Sequence, residues 1–305
     1  MRYATPVAFR QALEMRLLAH SKATGLPPDR LRKTVVFERF LARLLVSAPN
    51  RWVLKGGFAL DLRFGDRARA TRDIDLVRAD GPDEATADLL RAQAGDLGDH
   101  FVFAVERADD LDELLEGAAV RYHLTASLAG RLFEQVIVDI GFTDELPIQP
   151  DVLTGPDLLA FADLKPTLLP VLPLAYQVAE KVHAFTRVYG AAGRPSTRVK
   201  DLVDLVIVSG NAAFKAADLR AALHATFSGR GMQPLPGVLP RPPADWRVPY
   251  RRLATIVAID PELEVGYGLS AAFLDPVLES LLADDASWGP GERRWRVAPI
   301  RQPSK

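Results

Sequence analysis

The spacing of hydrophobic positions in the first part of the chain predicts two amphipathic helices. Phe9, Leu13 and Leu17 recur at four-residue intervals, which places them on one face of a helix over residues 5–22. A second stripe with the same period predicts a helix over about residues 29–46. Basic side chains on the remaining sides of this second helix are expected to form either a solvated face or a phosphate-binding surface: Arg30, Arg32, Lys33, Arg39 and Arg43.

From residue 52 to residue 140 the pattern changes to short apolar runs, several of which alternate with polar residues, as is typical of strands. One helix is predicted within this region, over about residues 83–98. The predicted strands cover residues 52–54, 73–77, 101–105, 120–127 and 131–140. We therefore predict a sheet packed with helices in the first half of the chain.

Helical spacing dominates again beyond about residue 150, after a proline-rich stretch with little strand signal that we interpret as a linker. The last residues, 288–305, are rich in proline and arginine and are expected to form a loosely docked tail. The chain is thus predicted to be an α+β protein with a first domain over residues 1–150 and a mostly α-helical domain over 151–305. The predicted helices of the second domain cover about 174–188, 198–209, 215–227, 245–258 and 270–283.

Composition adds limits to this picture. With 305 residues, of which 48% are hydrophobic and 25% are charged, the chain is expected to form a globular core. It has no cysteine, which excludes disulfides and thiolate metal sites, and it shows neither a secretion signal nor a membrane-spanning run. We therefore expect a cytoplasmic protein with no membrane partner. The net charge of −1 gives no support for a long nucleic-acid footprint, although residues 241–252 and 293–301 are rich in arginine.

Candidate chemistry is concentrated in residues 54–77. Gly56 and Gly57 follow a short apolar run, and Asp73-Ile74-Asp75 begins sixteen positions after Gly57. Side chains alternate along a strand, so Asp73 and Asp75 are expected on one side of it. Two carboxylates that repel each other at this distance indicate a hard cation, Mg²⁺ or Mn²⁺. The paired glycines allow a phosphate to approach backbone N–H groups at the start of the following helix.

A phosphate cradle beside a metal-binding Asp-x-Asp motif is typical of phosphoryl or nucleotidyl transfer. The alternatives without a catalytic role are an ordinary turn at the two glycines and a solvated strand end at the Asp-x-Asp motif. Thr71 is predicted on the same side as the two carboxylates, where its hydroxyl either lies close to bound phosphates or bonds local backbone.

These residues resemble the nucleotidyltransferase superfamily, whose signature joins a Gly-Gly or Gly-Ser pair to an Asp-apolar-Asp motif. The wider strings Lys55-Gly56-Gly57-Phe58-Ala59-Leu60 and Arg69-Ala70-Thr71-Arg72-Asp73-Ile74-Asp75-Leu76 are similar to the AbiEii branch, the toxin half of bacterial toxin–antitoxin pairs. The resemblance implies a nucleotidyltransferase-fold mixed β-sheet in the first domain. It also implies an NTP substrate held by residues that include Lys55, Gly56 and Gly57, and the alternation of the strand adds Thr71 as a predicted nucleotide-binding residue.

A third carboxylate on a neighbouring strand completes the metal site in that superfamily. Asp139 ends the strongest predicted strand, inside an apolar run where an acid is costly unless it is paired or ligates a metal. We therefore predict Asp139 as the third metal ligand, beside Asp73 and Asp75. The alternatives are that Asp139 caps the turn at Gly141, or that Glu134 takes the metal role.

Two segments of the second half, AEKVHAF at 179–185 and RVKDLVDL at 198–205, resemble later motifs of the AbiEii family. Lys181 lies among apolar residues and is predicted to reach the triphosphate from the helical domain. Lys200 and Asp204 are four residues apart, so they are either a nucleotide-binding and catalytic pair or a surface ion pair. His183 is expected to be structural.

The reaction implied by the resemblance takes place in a cleft between the two domains. There a hydroxyl attacks the α-phosphate of an NTP and releases pyrophosphate. The implied acceptor is RNA, at the 3′ end of tRNA, so that translation is blocked, and the implied partner is an antitoxin of the winged-helix type. The alternatives are NMP transfer to a protein hydroxyl or a small molecule, and a non-catalytic binding module with the same fold.

Overall fold

The computed structural model describes residues 1–108, 120–143, 149–187, 198–230 and 233–296. The chain forms two compact units. The first consists of Met1–Asp66 and Ala70–Leu172, and the second consists of Arg67–Arg69 and Pro173–Lys305. None of the described helices is both long enough and apolar enough to cross a membrane.

The helices of the first unit begin and end where the sequence provides caps. The first helix, α1, begins after Thr5, whose hydroxyl accepts a hydrogen bond from the Ala8 amide at 3.3 Å, and it ends at Gly25 with φ of 77°. Its predicted apolar face is buried. The described α-helices of this unit are α1 (Pro6–Thr24), α2 (Pro28–Ser47), α3 (Gly56–Phe64) and α4 (Pro82–Ala94).

A seven-stranded sheet forms the centre of the first unit, with strand order β3-β4-β5-β2-β1-β7-β6. β2 runs parallel to β5 and β1 runs parallel to β7, whereas the other neighbours are antiparallel. The predicted α+β class with a mixed sheet is therefore confirmed. The strands are β1 (Val53–Lys55), β2 (Asp73–Arg78), β3 (Phe101–Arg107), β4 (Val120–Leu128), β5 (Arg131–Phe142), β6 (Asp151–Thr154) and β7 (Leu168–Val171).

One face of this sheet forms the core with the helices. The ring of Phe40 on α2 lies 5.3 Å from that of Phe103 on β3, and Phe9 on α1 meets Phe101 edge-on at 6.1 Å. The opposite face of the central strands carries partly exposed polar side chains, because buried positions alternate with half-buried or exposed ones over Asp73–Leu76 of β2 and along most of β4. This second face bears the candidate site.

The two strands β6 and β7 were not predicted. The Leu172 amide donates to the Leu54 carbonyl at 2.8 Å, next to the parallel pairing of β7 with β1. Residues 151–172, assigned from the sequence to the second domain, therefore belong to the first compact unit. Both strands have only four residues, and Pro170 lies within β7, so the local pattern indicated a linker.

The second unit is mostly helical, as predicted, with a small three-stranded sheet of order β10-β9-β8. The last helix begins at Leu263, seven residues before its predicted start. The expectation of a loosely docked tail is wrong for residues 288–296, because Trp288 is buried and its indole N–H donates to the Ser209 carbonyl at 2.7 Å. Residues 297–305 lie outside the described part of the chain. The elements are α5 (Leu174–Thr186), α6 (Val199–Asn211), β8 (Phe214–Lys215), α7 (Ala216–Arg230), α8 (Arg247–Ile256), α9 (Leu263–Leu278), β9 (Ser287–Gly289) and β10 (Arg294–Arg296).

Candidate active site

A row of four charged residues crosses the centre of the large sheet. Lys55 on β1 is the register partner of Asp75 on β2, and Asp75 is the partner of Asp139 on β5. Asp139 is in turn the partner of Arg121 on β4. Side chains of register partners on adjacent strands project to the same face. The row therefore reads positive, negative, negative, positive across four strands.

Asp73 and Asp75 occupy the half-buried positions of β2, and Ile74 and Leu76 point into the core with no exposed surface. This is the predicted alternation. Thr71 is 6% exposed, and its hydroxyl donates to the Asp73 carboxylate. The Thr71 hydroxyl also lies 3.5 Å from the backbone carbonyl oxygen of Asp73, so the predicted local backbone contact is present, and a role toward bound phosphates stays a prediction.

The two glycines allow α3 to begin directly against these side chains. Gly56 has φ of 66°, and a Cβ at this position would collide with the carboxylate of Asp75. A Cβ at Gly57 would lie 2.6 Å from the hydroxyl oxygen of Thr71. Among the described residues, no side-chain hydrogen bond caps the start of α3 at Lys55, so the first amides of this helix lack the usual capping bond. The glycine pair thus brings a helix N-terminus to the carboxylates.

Asp139 is engaged by Arg121 in a side-on pair. Nε and Nη2 of Arg121 donate to the two carboxylate oxygens of Asp139 at 2.7 and 2.8 Å. This hydrogen-bonded pairing with Asp139, opposed by partial burial and assisted by the charges of Asp139, Asp73 and Asp75, raises the pKa of Arg121. Arg121 was not predicted, because it lies in no motif and only the pairing of β4 with β5 brings it to the site.

The available carboxylate oxygens decide whether a divalent metal fits this site. Asp73 and Asp75 offer hard oxygen donors on one face of β2, which suits Mg²⁺ or Mn²⁺. Within the described ranges, however, no group of three or more His, Cys, Asp or Glu side chains is arranged to hold a metal. The fit thus rests on Asp73 and Asp75.

The second unit has its own cluster of buried charges around Lys181. Lys181 Nζ donates to Asp204 at 2.6 Å and to Asp201 at 3.3 Å, while Nε and Nη2 of Arg69 each donate to Asp204 at 3.0 Å. Lys181 and Asp204 were predicted as site residues and are brought together here. Asp201 and Arg69 complete the cluster. Lys200 is exposed, and Asp204 pairs with Lys181 and Arg69 in place of the predicted alternative surface pair with Lys200.

The charges of this cluster stabilise one another. Burial opposes ionisation of Asp204, but Lys181 and Arg69 outweigh that effect and hold the pKa of its carboxyl below the usual value. Burial likewise opposes the charge on Lys181, and Asp204 with Asp201 outweighs it, so the pKa of Lys181 is raised. Burial raises the pKa of Asp201.

His183 follows the structural interpretation. Its side chain is fully buried in α5, and its ring meets Phe227 edge-on with 5.0 Å between ring centroids.

The placement of Lys181 and Asp204 in one cleft with the row of four charged residues stays a prediction.

Comparisons with known proteins give one family and a set of solved structures. The family model described as the nucleotidyl transferase AbiEii toxin of type IV toxin–antitoxin systems matches residues 39–283. A search among curated proteins gives no match. MenT4, a nucleotidyltransferase toxin from Mycobacterium tuberculosis H37Rv, is 19% identical with a TM-score of 0.55, over 88% of this chain and 99% of that one. JHP933 from Helicobacter pylori is 16% identical with a TM-score of 0.49, over 84% and 96%. The likeness to MenT4 shows a shared fold.

Proposed function

The chain belongs to the AbiEii family of nucleotidyltransferase toxins, and from that premise we propose that it transfers NMP from an NTP to an RNA hydroxyl. The proposed acceptor is the 3′ end of tRNA, and its modification would block translation. Membership of a type IV toxin–antitoxin family also implies a cognate antitoxin, for which we propose a winged-helix protein.

One observation carries the proposal of catalysis. Asp73 and Asp75 share one face of β2, and Gly56 and Gly57 start α3 against Asp75 and Thr71. A carboxylate pair of this kind is costly unless a cation accompanies it, and a helix N-terminus beside it favours a phosphate. A non-catalytic module would have no need to maintain both features together.

Asp73 and Asp75 would hold Mg²⁺ or Mn²⁺. Bound there, the ion supplies charge stabilisation for the reacting phosphate. The backbone N–H groups at the start of α3 would receive phosphate oxygens, with Lys55 as a nearby positive charge. Asp139, the third ligand predicted from the sequence, is bonded to Arg121 and is left out of this proposed pair.

In the proposed reaction the acceptor hydroxyl oxygen forms a bond to the α-phosphorus. The bond from the α-phosphorus to the bridging oxygen breaks, and pyrophosphate leaves with that oxygen. The hydroxyl proton passes to water or a nearby base. Lys181 and Asp204, which share a buried cluster in the second unit, are proposed to act on the triphosphate, and Lys200 is proposed as a nucleotide contact.

The test is a transfer assay with each of the four α-labelled NTPs, Mg²⁺, and total RNA or total protein as acceptor. We expect labelled RNA of tRNA size that disappears on ribonuclease treatment and is absent with the Asp75→Asn protein. A labelled product that survives ribonuclease but not protease would contradict the RNA acceptor and favour protein modification. The absence of any NTP-dependent label with every acceptor would contradict catalysis.

A further inference from the structure

The row of four charged residues has two carboxylates at its centre, Asp75 and Asp139, and raises the question of which cations neutralise them. Asp75 and Asp139 are register partners on adjacent parallel strands, and like charges in that relation destabilise a sheet. Arg121 lies at one end of the row and Lys55 at the other. The Lys55 ammonium extends over β2, since a Cβ built on Gly141 of β5 would lie 3.8 Å from Lys55 Nζ. One basic side chain of the protein therefore lies at each end of the row.

Both oxygens of Asp139 face Arg121. The pair is bidentate, with N–O distances of 2.7 and 2.8 Å, which is the geometry of a strong guanidinium–carboxylate pair. Arginine does not lose its proton in proteins, so this cation is permanent. A divalent ion on the same carboxylate would lie beside a like charge. The described residues also contain no cluster of three carboxylates arranged around a common point at this site.

We propose that Asp139 is a positioning residue for Arg121, not a metal ligand, and that Arg121 binds a phosphate of the NTP. This inference rests on the proposed function, because it names a further nucleotide-binding residue of the same site.

The orientation of Arg121 supports a phosphate contact. The pair with Asp139 uses Nε and Nη2, and within the described residues no protein acceptor bonds Nη1. The side chain of Arg121 is 31% exposed, so a ligand can reach it. A guanidinium fixed along one edge presents its remaining N–H groups in a set direction, which suits the oxygens of a phosphate. The negative charges of Asp73 and Asp75, where the metal and triphosphate are proposed to bind, also act on Arg121.

The first experiment measures Mn²⁺ affinity by electron paramagnetic resonance on the full-length wild type, Asp75→Asn and Asp139→Asn. We expect Asp75→Asn to weaken binding by more than about tenfold, while Asp139→Asn stays within about twofold of the wild type. Equal losses in both variants would make Asp139 a metal ligand and overturn the inference, while the proposed function stands. Unchanged binding in Asp75→Asn would instead contradict the metal pair of the proposed function.

The second experiment measures the affinity for an NTP analogue with a methylene group between the α- and β-phosphates, so that transfer cannot occur. Arg121→Met should weaken binding by about tenfold or more, the loss expected for one charge-assisted bond, and Arg121→Lys should recover part of it. Arg107→Met is the matched control. Arg107 is an exposed arginine on β3 whose register partner is the buried Tyr122, so it projects to the opposite face of the sheet from Arg121.

The positioning role is tested by the double variant. If Asp139 acts through Arg121, Asp139→Asn should weaken analogue binding, and Asp139→Asn with Arg121→Met should bind no more weakly than Arg121→Met alone. Thermal unfolding checks that each variant is folded. Wild-type analogue affinity in a folded Arg121→Met protein overturns the inference, and so do fully additive losses in the double variant.

Discussion

At the scale of single residues, Gly56 meets two constraints at once. Its φ of 66° is one that other residues adopt only with strain, and its missing side chain leaves space for the Asp75 carboxylate. Gly57 makes the same kind of room for Thr71. From the sequence, these two glycines were predicted to let a phosphate approach the start of the helix. In the fold they also allow two predicted site residues, Asp75 and Thr71, to approach a helix N-terminus.

Replacing Gly56 by alanine should separate these effects when it is compared with Gly25→Ala. Gly25 has φ of 77° with open space around it, so alanine there costs only the backbone strain of roughly 1–2 kcal/mol. Gly56→Ala adds a collision with Asp75, so we expect a larger loss of unfolding free energy and loss of transfer. Denaturant unfolding and the transfer assay measure both. Equal unfolding losses in the two variants would show that the contact with Asp75 is unimportant.

Asp75→Asn should abolish transfer and leave the fold intact, because the amide fits the same space but does not hold a divalent cation. We expect a rate loss of more than about 100-fold, since charge stabilisation by a metal contributes several kcal/mol to the barrier. Glu106→Gln, an exposed acid on the edge strand β3, is the control for removing a negative charge. Near-native turnover in an Asp75→Asn protein with a wild-type circular dichroism spectrum would remove the basis of the proposed function.

At the scale of elements, α5 and α6 are joined by an ion cluster that neither helix predicts alone. Lys181 on α5 is 7% exposed and Asp204 on α6 is 1% exposed. Each would be costly without the other, because removing one partner of a buried pair leaves an uncompensated charge, typically at a cost of about 3–5 kcal/mol. Lys181 thus has protein partners as well as its predicted role toward the triphosphate.

The pH dependence of stability reports this cluster. The folded-state pKa of Asp204 is lowered from 3.8. Its ionised carboxylate therefore stabilises the fold above pH 3.8, and this stabilisation is lost as the pH falls through the folded-state pKa. The folded-state pKa of Lys181 is raised from 10.5. Its charged ammonium therefore stabilises the fold fully below pH 10.5, and this stabilisation is lost only at higher pH. We therefore expect the wild type to be more stable than Asp204→Asn near neutral pH.

That difference should shrink as the pH falls below 3.8, where the unfolded carboxyl is already protonated. Chemical denaturation of both proteins between neutral pH and acid measures it. The exposed Asp218→Asn on α7 serves as the control, because its stability difference from the wild type should stay small throughout. A wild-type advantage over Asp204→Asn that is the same in acid and at neutral pH would contradict the ionised pair.

At the scale of the whole molecule, local patterns predicted more of the helices than of the sheet. The alternation around Ile74 and the spacing of the glycines identified β2 and the start of α3 correctly. The sequence pattern missed β6 and β7 because these four-residue strands are stabilised by pairing, β7 with the distant β1 and β6 with β7. Arg121 was missed because its pairing with Asp139 depends on the register between β4 and β5, which shifts at Ala126 and Ser127. Contacts that depend on long-range pairing leave no periodic signal in the sequence.

Charge is also a property of the whole molecule, and here it is nearly balanced at −1. RNA binding therefore requires a local basic surface. The helix α8 offers one, because Arg247, Arg251 and Arg252 are all exposed on it. Arg251 pairs with Glu262 at 2.9 Å, but both side chains are 61% exposed. Such a surface pair is weak and leaves the arginine able to contact phosphate.

If α8 contacts the acceptor, RNA affinity should fall as salt rises, because bound phosphates release counterions. Replacing Arg247 and Arg252 by glutamine should weaken RNA binding and reduce the slope of log affinity against log salt by about 0.7 for each phosphate that the protein no longer neutralises. The matched control is the glutamine replacement of Arg294 and Arg296 on β10, which both donate to Glu292. Fluorescence anisotropy with labelled tRNA over a salt series measures affinity and slope together. A slope that is unchanged in the α8 variant but reduced in the β10 variant would move the RNA surface away from α8. Because Arg247 and Arg252 are not among the proposed nucleotide-binding residues, we expect the α8 variant to bind the NTP analogue like the wild type, so a loss of RNA binding can be separated from a loss of the nucleotide site.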